Sequence, residues 1–341
     1  MCTARSSSPS ERLGPLLFAV AALAWAAPAA AQSPGLDPRT LGEKQLVDPL
    51  DGHEFTHQYV IGTNGLGGHD SDGCTYARGV QPRVFAVATS PTTLFSARME
   101  QWPEAVPPDL REALLRRLVD IGKEVSNVRD LKPSERYELA AVSAELLGAS
   151  HFAIGELYLI GAWTVRDTIV GFLPGVQGAS DAWVKLGELV PLAQQQTEAE
   201  PRTRAMFDLA RLSHRGGFVG ERDEFLMLLD TFEDAGIGGP EKRAAFFRRV
   251  GEENRLLGKA RERFRKGIAA GEGSGEEQAF YRFLAGDLAR RLGDFDAART
   301  DLEAVDLSPQ ASEEVRLRAR DVLEVIKVQK RPEKPPEEGA K

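Results

Sequence analysis

Seven residues in the first third of the chain have the types and spacing of chemical sites. His53-Glu54-Phe55-Thr56-His57 is a literal His-Glu-x-x-His. On a helix that spacing puts both imidazoles on one face, with the glutamate beside a zinc-bound water, the arrangement of a metal-dependent hydrolase. The second pattern is a pair of short proline knuckles, Asp48-Pro49-Leu50-Asp51-Gly52 and Ser90-Pro91-Thr92-Thr93. A four-thiolate zinc ribbon uses two x-Pro-x-x knuckles with cysteines three residues apart. Here Asp48, Asp51, Ser90 and Thr93 occupy the four ligand positions. Carboxylates facing hydroxyls form short, charge-assisted hydrogen bonds. The expectation is a metal-free clasp in which Asp48 and Asp51 accept from Ser90 and Thr93. Calcium, which prefers hard oxygen ligands, is the competing occupant of those oxygens.

The elements around His53 decide between these chemistries. Gly52 precedes the motif, and Gln58–Ile61 (QYVI) is β-branched and aromatic, as strands are. Along a strand, residues 53 and 57 stand about 13 Å apart at roughly 3.3 Å per residue, too far for one metal. His69, with Asp70, Asp72 and Cys74, is the alternative source of ligands. The hydrolase built on His53, Glu54 and His57 is therefore the second reading, and no catalytic residue, metal or cofactor is assigned.

Val84–Thr89 (VFAVAT) reads as a further strand, and the glycine-rich stretch from Gly62 to Gly68 as the hairpin tip joining it to Gln58–Ile61. No Gly-Lys-Ser/Thr follows those glycines, so a phosphate loop is not expected. From about Pro107 the apolar spacing becomes helical. Helices are predicted over 109–125, 135–147, 151–170, 181–195, 202–215, 221–234, 241–269, 276–292, 294–306 and 310–328. Ser134, the Ser274/Glu277 capping box and Ser308-Pro309 serve as start signals. Ala260, Phe264 and Gly267 recur 38 residues later as Ala298, Leu302 and Val305. Leu292-Gly293-Asp294-Phe295-Asp296-Ala297-Ala298 has the small and large residues of a tetratricopeptide turn and second helix, and Gly286 stands where the first helix carries a small residue.

The knuckles and these helices together resemble an uncharacterised bacterial family, domain of unknown function family 2225. Its members join a Cys-Pro-x-Cys ribbon to tetratricopeptide-like helices. Pro49, Gly52, Phe55, Asp72, Pro82, Pro91 and Phe95 carry the resemblance in the ribbon, and Phe207–Leu226 and Tyr281–Leu302 in the helices. It implies architecture and no defined activity, and the four cysteines are replaced here.

The 341 residues are 28% charged and 42% apolar with a formal charge of −8, which argues against a general nucleic-acid binder. Arg5 and Arg12 precede an apolar run from Leu16 to Ala27 that closes on Pro28-Ala29-Ala30-Ala31. That is the pattern of a secretory signal peptide, and the run is too short to span a bilayer. Cys2 leaves with it, so the mature chain keeps Cys74 alone, without an intrachain disulfide, and Cys74 is expected to be buried. The expected organisation is a signal peptide over 1–31, a flexible lead-in over 32–45 and a β-rich degenerate ribbon over 46–100. A helical tetratricopeptide-like domain over 107–328 and a disordered tail over 329–341 follow. The fold class is mainly α, with stacked helical hairpins behind the small β-rich part.

Within Glu241–Lys266, ten Lys and Arg stand against four Glu. Arg248, Arg249, Arg255 and Arg263 are the expected partner contacts on that stretch. The function that follows is an exported, periplasmic or extracellular, non-enzymatic scaffold that binds a protein through its helices.

Overall fold

A computed structural model describes residues 40–229, apart from 124, 126, 172, 174 and 175, and residues 240–329. The expected signal peptide and all but Gln329 of the expected tail lie outside the described residues.

Two β-hairpins come first. Strand β1 (Leu41–Val47) pairs antiparallel with β2 (Glu54–Val60), with Lys44 opposite His57. Strand β3 (Val87–Thr89) pairs with β4 (Ser96–Arg98), with Ala88 opposite Ala97. Each hairpin turns through one of the proline knuckles. This corrects the expected pairing in two ways. Strand β1 begins inside the expected flexible lead-in, and β2 pairs with it rather than with the strand near Val84–Thr89. The Gly62–Gly68 stretch is not a hairpin tip. It leads into a loop that folds against the helices. Gly68 has φ +77°, and a Cβ there would lie 2.0 Å from the Val176 carbonyl oxygen. Close backbone approach, rather than a turn, is what requires glycine at that position.

Ten α-helices follow among the described residues: α1 (Pro108–Gly122), α2 (Pro133–Leu146), α3 (His151–Val170), α4 (Ala179–Gln194), α5 (Ala199–Gly216), α6 (Val219–Leu228), α7 (Pro240–Ala269), α8 (Gly275–Arg291), α9 (Phe295–Asp306) and α10 (Glu313–Val328). Side-chain caps explain several starts. Ser150 accepts from Ala153 N, Asp294 from Ala297 N, and Ser274 and Glu277 form the expected capping box. Two start signals move. α10 begins four residues after Ser308-Pro309, where Ser312 accepts from Val315 N. Ser134 lies inside α2 and donates to Glu252 instead, at 2.8 Å.

Helix α3 is buried on nearly all sides, which its apolar sequence dictates. It packs along α7 through a reciprocal pair of Phe-x-x-Gly steps. A Cβ on Gly155 of α3 would lie 2.5 Å from the Phe264 ring of α7, and one on Gly267 of α7 would lie 2.5 Å from the Phe152 ring of α3. Each helix thus offers a glycine to the other's phenylalanine, and the backbones close together. Tyr281 of α8 bridges both rings, with centroids 4.0 Å from Phe152 and 5.1 Å from Phe264. Helices α8, α9 and α10 continue the stack in chain order. The described strands and helices fall in one compact unit. No helix among the described residues is long and apolar enough to cross a membrane.

Candidate functional site: a buried arginine–carboxylate cluster and the cleft beside it

The two knuckles meet. Asp48, 1% exposed, accepts from the Thr93 hydroxyl at 2.5 Å and the Thr92 hydroxyl at 3.4 Å, and caps its own turn by accepting from Leu50 N at 2.7 Å. The other half of the expected clasp is arranged differently. Ser90 shares a hydrogen bond with Thr92 at 3.1 Å and accepts from Thr92 N and Thr93 N. Asp51 is exposed and accepts from His53 N at 2.8 Å. Asp48 is thus the buried carboxylate that joins the two hairpins; Asp51 stabilises its own turn, and against a desolvation that raises it, the Thr92 hydroxyl of the other knuckle and His53 N–H hold its pKa down.

His53 is exposed at the end of that turn, and His57 lies within β2. The His57 imidazole is buried, its Nε2 is 2.8 Å from the Phe85 carbonyl, and burial pushes its pKa down. His69 stands in the following loop, bridging backbone to Thr75 and Gln177. The structure does not gather these three histidines. Among the described residues no group of His, Cys, Asp and Glu has the geometry to hold a metal ion. Cys74 is fully buried, as expected, and burial pushes its thiol pKa far up, leaving it an unreactive thiol.

The loop after His69 enters the densest group of buried ion pairs among the described residues. Asp70 and Asp72 are 2% and 1% exposed, and they enter a cluster of four carboxylates and four guanidiniums. Arg166 of α3 sits at its centre. Its Nη1 donates to Asp70 at 2.9 Å, its Nη2 to Asp72 at 2.8 Å and its Nε to Glu253 of α7 at 2.7 Å. Arg215, closing α5, donates to Asp70 at 3.0 Å and to the carbonyls of Gly67, Leu173 and Val176, with its guanidinium 4.2 Å from the Tyr76 ring centroid. On α8, Arg290 and Arg291 donate to Asp287 at 2.8 and 3.3 Å, and Ser71 ties that group to the loop through a 2.7 Å bond to Asp287. Trp163 and Tyr76 add neutral donors to Asp72 and Asp70.

Four positive and four negative side chains cancel, and fork-shaped guanidiniums satisfy several acceptors at once. Burial alone would raise the Asp72 carboxyl, but Arg166 and Arg291 overturn that and hold it well below the usual carboxylate range. Glu253 is likewise desolvated, yet Arg166 and His214 bring it down to about 2. His214 Nε2 lies 2.7 Å from Glu253, and its Nδ1 is 3.4 Å from Arg222 Nη1. Since Arg222 has only donors to offer, Nδ1 is the acceptor and Nε2–H the donor to Glu253. Desolvation, the largest influence, keeps this imidazole neutral.

The sequence reading passed over this cluster. A signal existed: Arg166 stands in the mostly apolar α3 sequence HFAIGELYLIGAWTVRDTIV, whose other charged residues are Glu156 and Asp167, and an arginine there must find buried partners.

The basic α7 stretch is placed differently from the expected free patch. Arg255 and Lys259 pair with Glu138 of α2, Arg263 with Glu145 at 2.6 Å, and Arg261 and Arg265 with Asp294 and Asp301 of α9. Arg249 donates to the Thr168 carbonyl at 2.9 Å, and Arg248 is exposed. Spacing along α7 could not reveal that acidic helices lie on both sides of it.

Beside the cluster opens a cleft of about 420 Å³, between the His69–Thr75 loop, the start of α4 and the first half of α10. Thr75, Gln177, Phe283, Glu314, Arg318 and Asp321 are among its walls. That volume is in the range of small-molecule sites. No family model, no curated protein and no solved structure matches this chain.

Proposed function

We propose that this chain is an exported, non-enzymatic scaffold: a metal-free remnant of a zinc ribbon, clasped to tetratricopeptide-like helical hairpins, that offers a cleft to a protein partner. The observation that carries the reading is the 420 Å³ cleft between the His69–Thr75 loop and α10. The acid–base groups nearest to it support a binding role. Asp70, Asp72, Arg166 and Arg215 are saturated by one another and are committed to holding the loop.

Two features support the architectural part. Both hairpins turn through proline knuckles that meet at Asp48 and Thr93, as ribbon knuckles meet at a metal. A Cβ on Gly286 would lie 2.9 Å from Leu302, the small-against-large contact between the paired helices of a tetratricopeptide unit. Returning the four knuckle positions to cysteine (Asp48→Cys, Asp51→Cys, Ser90→Cys, Thr93→Cys) should create a site that binds one zinc per chain, read by elemental analysis. A metal-free variant that is still folded would remove the ribbon part.

Thr75→Trp tests the cleft. Thr75 is exposed on the cleft wall, so the indole fills the opening without entering the core. Proteins captured from the native envelope fraction by the natural chain should be absent with Thr75→Trp while the melting temperature is unchanged. An identical captured set from both would sink the reading.

A further inference from the structure

The sequence holds three asparagines, Asn64, Asn127 and Asn254, and the surroundings of Asn64 set it apart. Asn64 is exposed in the loop between β2 and the buried cluster, and exposed Gly65 follows it. Its Oδ1 accepts from Leu66 N at 3.2 Å and from Arg78 N at 3.0 Å, and its Nδ2 donates to the Arg78 carbonyl at 3.3 Å. The bond from Leu66 closes an Asx turn, which puts the Asn64 amide carbon and the Gly65 nitrogen in one hydrogen-bonded ring. Among the described residues Gly65 N makes no hydrogen bond, and nothing lies within 4 Å of where a Gly65 Cβ would stand. That nitrogen has neither a bond to break nor a side chain over it. Two backbone N–H groups on Oδ1 form an oxyanion site, because they stabilise the charge that gathers on this oxygen when the carbon is attacked. The other asparagines lack these parts. Asn127 closes the same turn by accepting from Arg129 N at 2.9 Å, but Val128 puts a branched side chain beside the attacking nitrogen. Asn254 lies within α7, where the next nitrogen belongs to the helix ladder.

We propose that Asn64 is a site of spontaneous self-modification: the Gly65 nitrogen displaces its side-chain amide, the Leu66 and Arg78 N–H groups stabilise the oxygen, and a carboxylate replaces the amide. The bond from Gly65 N to Asn64 Cγ forms as that nitrogen gives its proton to solvent. The Cγ–Nδ2 bond breaks, and Nδ2 takes a proton from water and leaves as ammonia. Water then opens the cyclic imide. Opening at Cγ gives aspartate, and opening at the main-chain carbonyl gives isoaspartate, with Cβ and Cγ in the backbone. Nothing is oxidised or reduced, and water is the one co-reactant. Holding both reacting groups in one turn makes the first step unimolecular. An aspartate here still accepts from Leu66 and Arg78 but has no proton for the Arg78 carbonyl. Isoaspartate lengthens the chain just before Gly67, whose carbonyl Arg215 holds, and Gly68, which lies against Val176. The loop gains a negative charge and loses a tie to Arg78, while the anchors of the cluster stay where they are.

The test keeps the full chain folded at mildly alkaline pH. Ion-exchange separation follows the acidic product, and fragmentation mass spectrometry of the peptide carrying Asn64 tells isoaspartate from aspartate. Asn64 should convert at least tenfold faster than Asn127 and Asn254, with isoaspartate among the products. It should convert at least as fast as in the same chain unfolded in urea, where the two N–H donors are gone. Gly65 is outside the left-handed region and its Cβ direction is open, so Gly65→Val should slow conversion at least fivefold without changing the melting temperature. Slower conversion in the folded than in the unfolded chain removes the role of the Leu66 and Arg78 donors and overturns the proposal. Aspartate as the sole product, or Gly65→Val converting at the natural rate, means direct hydrolysis by water and overturns it as well. No conversion of Asn64 in the folded chain overturns it outright.

Discussion

Arg166 concentrates the energetics of this molecule in one side chain. It is fully buried and donates to three carboxylates, two in the loop after His69 and one on α7. Replacing it with alanine strands Asp70, Asp72 and Glu253 with too little positive charge in a low-dielectric interior. Breaking such a pair costs about 3–5 kcal/mol. Arg166→Ala should therefore lower the urea midpoint by that much stability or prevent folding, whereas Arg248→Ala, at an exposed position, should shift it by less than about 0.5 kcal/mol. The same residues set the pH response. In the unfolded chain Glu253 titrates near 4.5 and His214 near 6.5, and in the folded chain both lie lower, Glu253 at about 2. Between those values the unfolded state binds more protons, so stability falls as pH falls. Melting temperature should decline from about pH 6.5 downward and most steeply below pH 4.5. Glu253 alone contributes roughly 3 kcal/mol that is lost towards pH 2. A flat melting profile from pH 7 to 3 would contradict this. Of these residues, Arg166 was legible as an arginine in an apolar run. Asp70 and Asp72 were not, because a pair of aspartates in a glycine-rich loop reads equally well as solvated.

At the scale of elements, helices announce themselves and strand partners do not. All ten described helices overlap the stretches where apolar spacing puts them, with α3 starting and ending at the expected residues and the starts of α2 and α10 displaced from their expected caps. Local sequence sets a helix because its hydrogen bonds are local. Strand β2 was visible in part, but its partner was not, since β1 (LGEKQLV) is mostly exposed and has no apolar alternation to betray it. The knuckles were legible as turns. What they turn between became clear only from the register of Lys44 opposite His57 and Ala88 opposite Ala97. The interface of α3 with α7 offers a sharper test of element packing. Gly155→Ala places a methyl 2.5 Å from the Phe264 ring, so the two helices must separate or the ring must rotate. Overpacking of this kind costs about 1–3 kcal/mol. Gly251→Ala, on the same α7 but with open space at its Cβ, should be neutral or slightly stabilising. Chemical denaturation of the two variants side by side checks the contrast, and equal effects would mean the close approach is not maintained in solution.

At the scale of the whole molecule, the cluster joins the hairpin region to the helices by bonds that cannot break singly without stranding charge. The loop from Gly67 to Tyr76 contacts α3, α5 and α8 through them. Hydrogen exchange should therefore show the amides of that loop protected to the same free energy as those of α3 and α8, opening in one cooperative step. Independent early opening of the loop would show that the hairpin region is a separate unit. No local pattern could disclose this connection, because Ser71 and Asp287 are 216 residues apart in sequence. That separation also has a history in time. As the nascent chain emerges at about 5–20 residues per second, Asp70 and Asp72 precede Asp287, Arg290 and Arg291 by roughly 10–40 seconds. Until α8 leaves the ribosome, the loop has only part of its counter-charge, so the N-terminal hairpins wait on the last quarter of the chain to be locked in place.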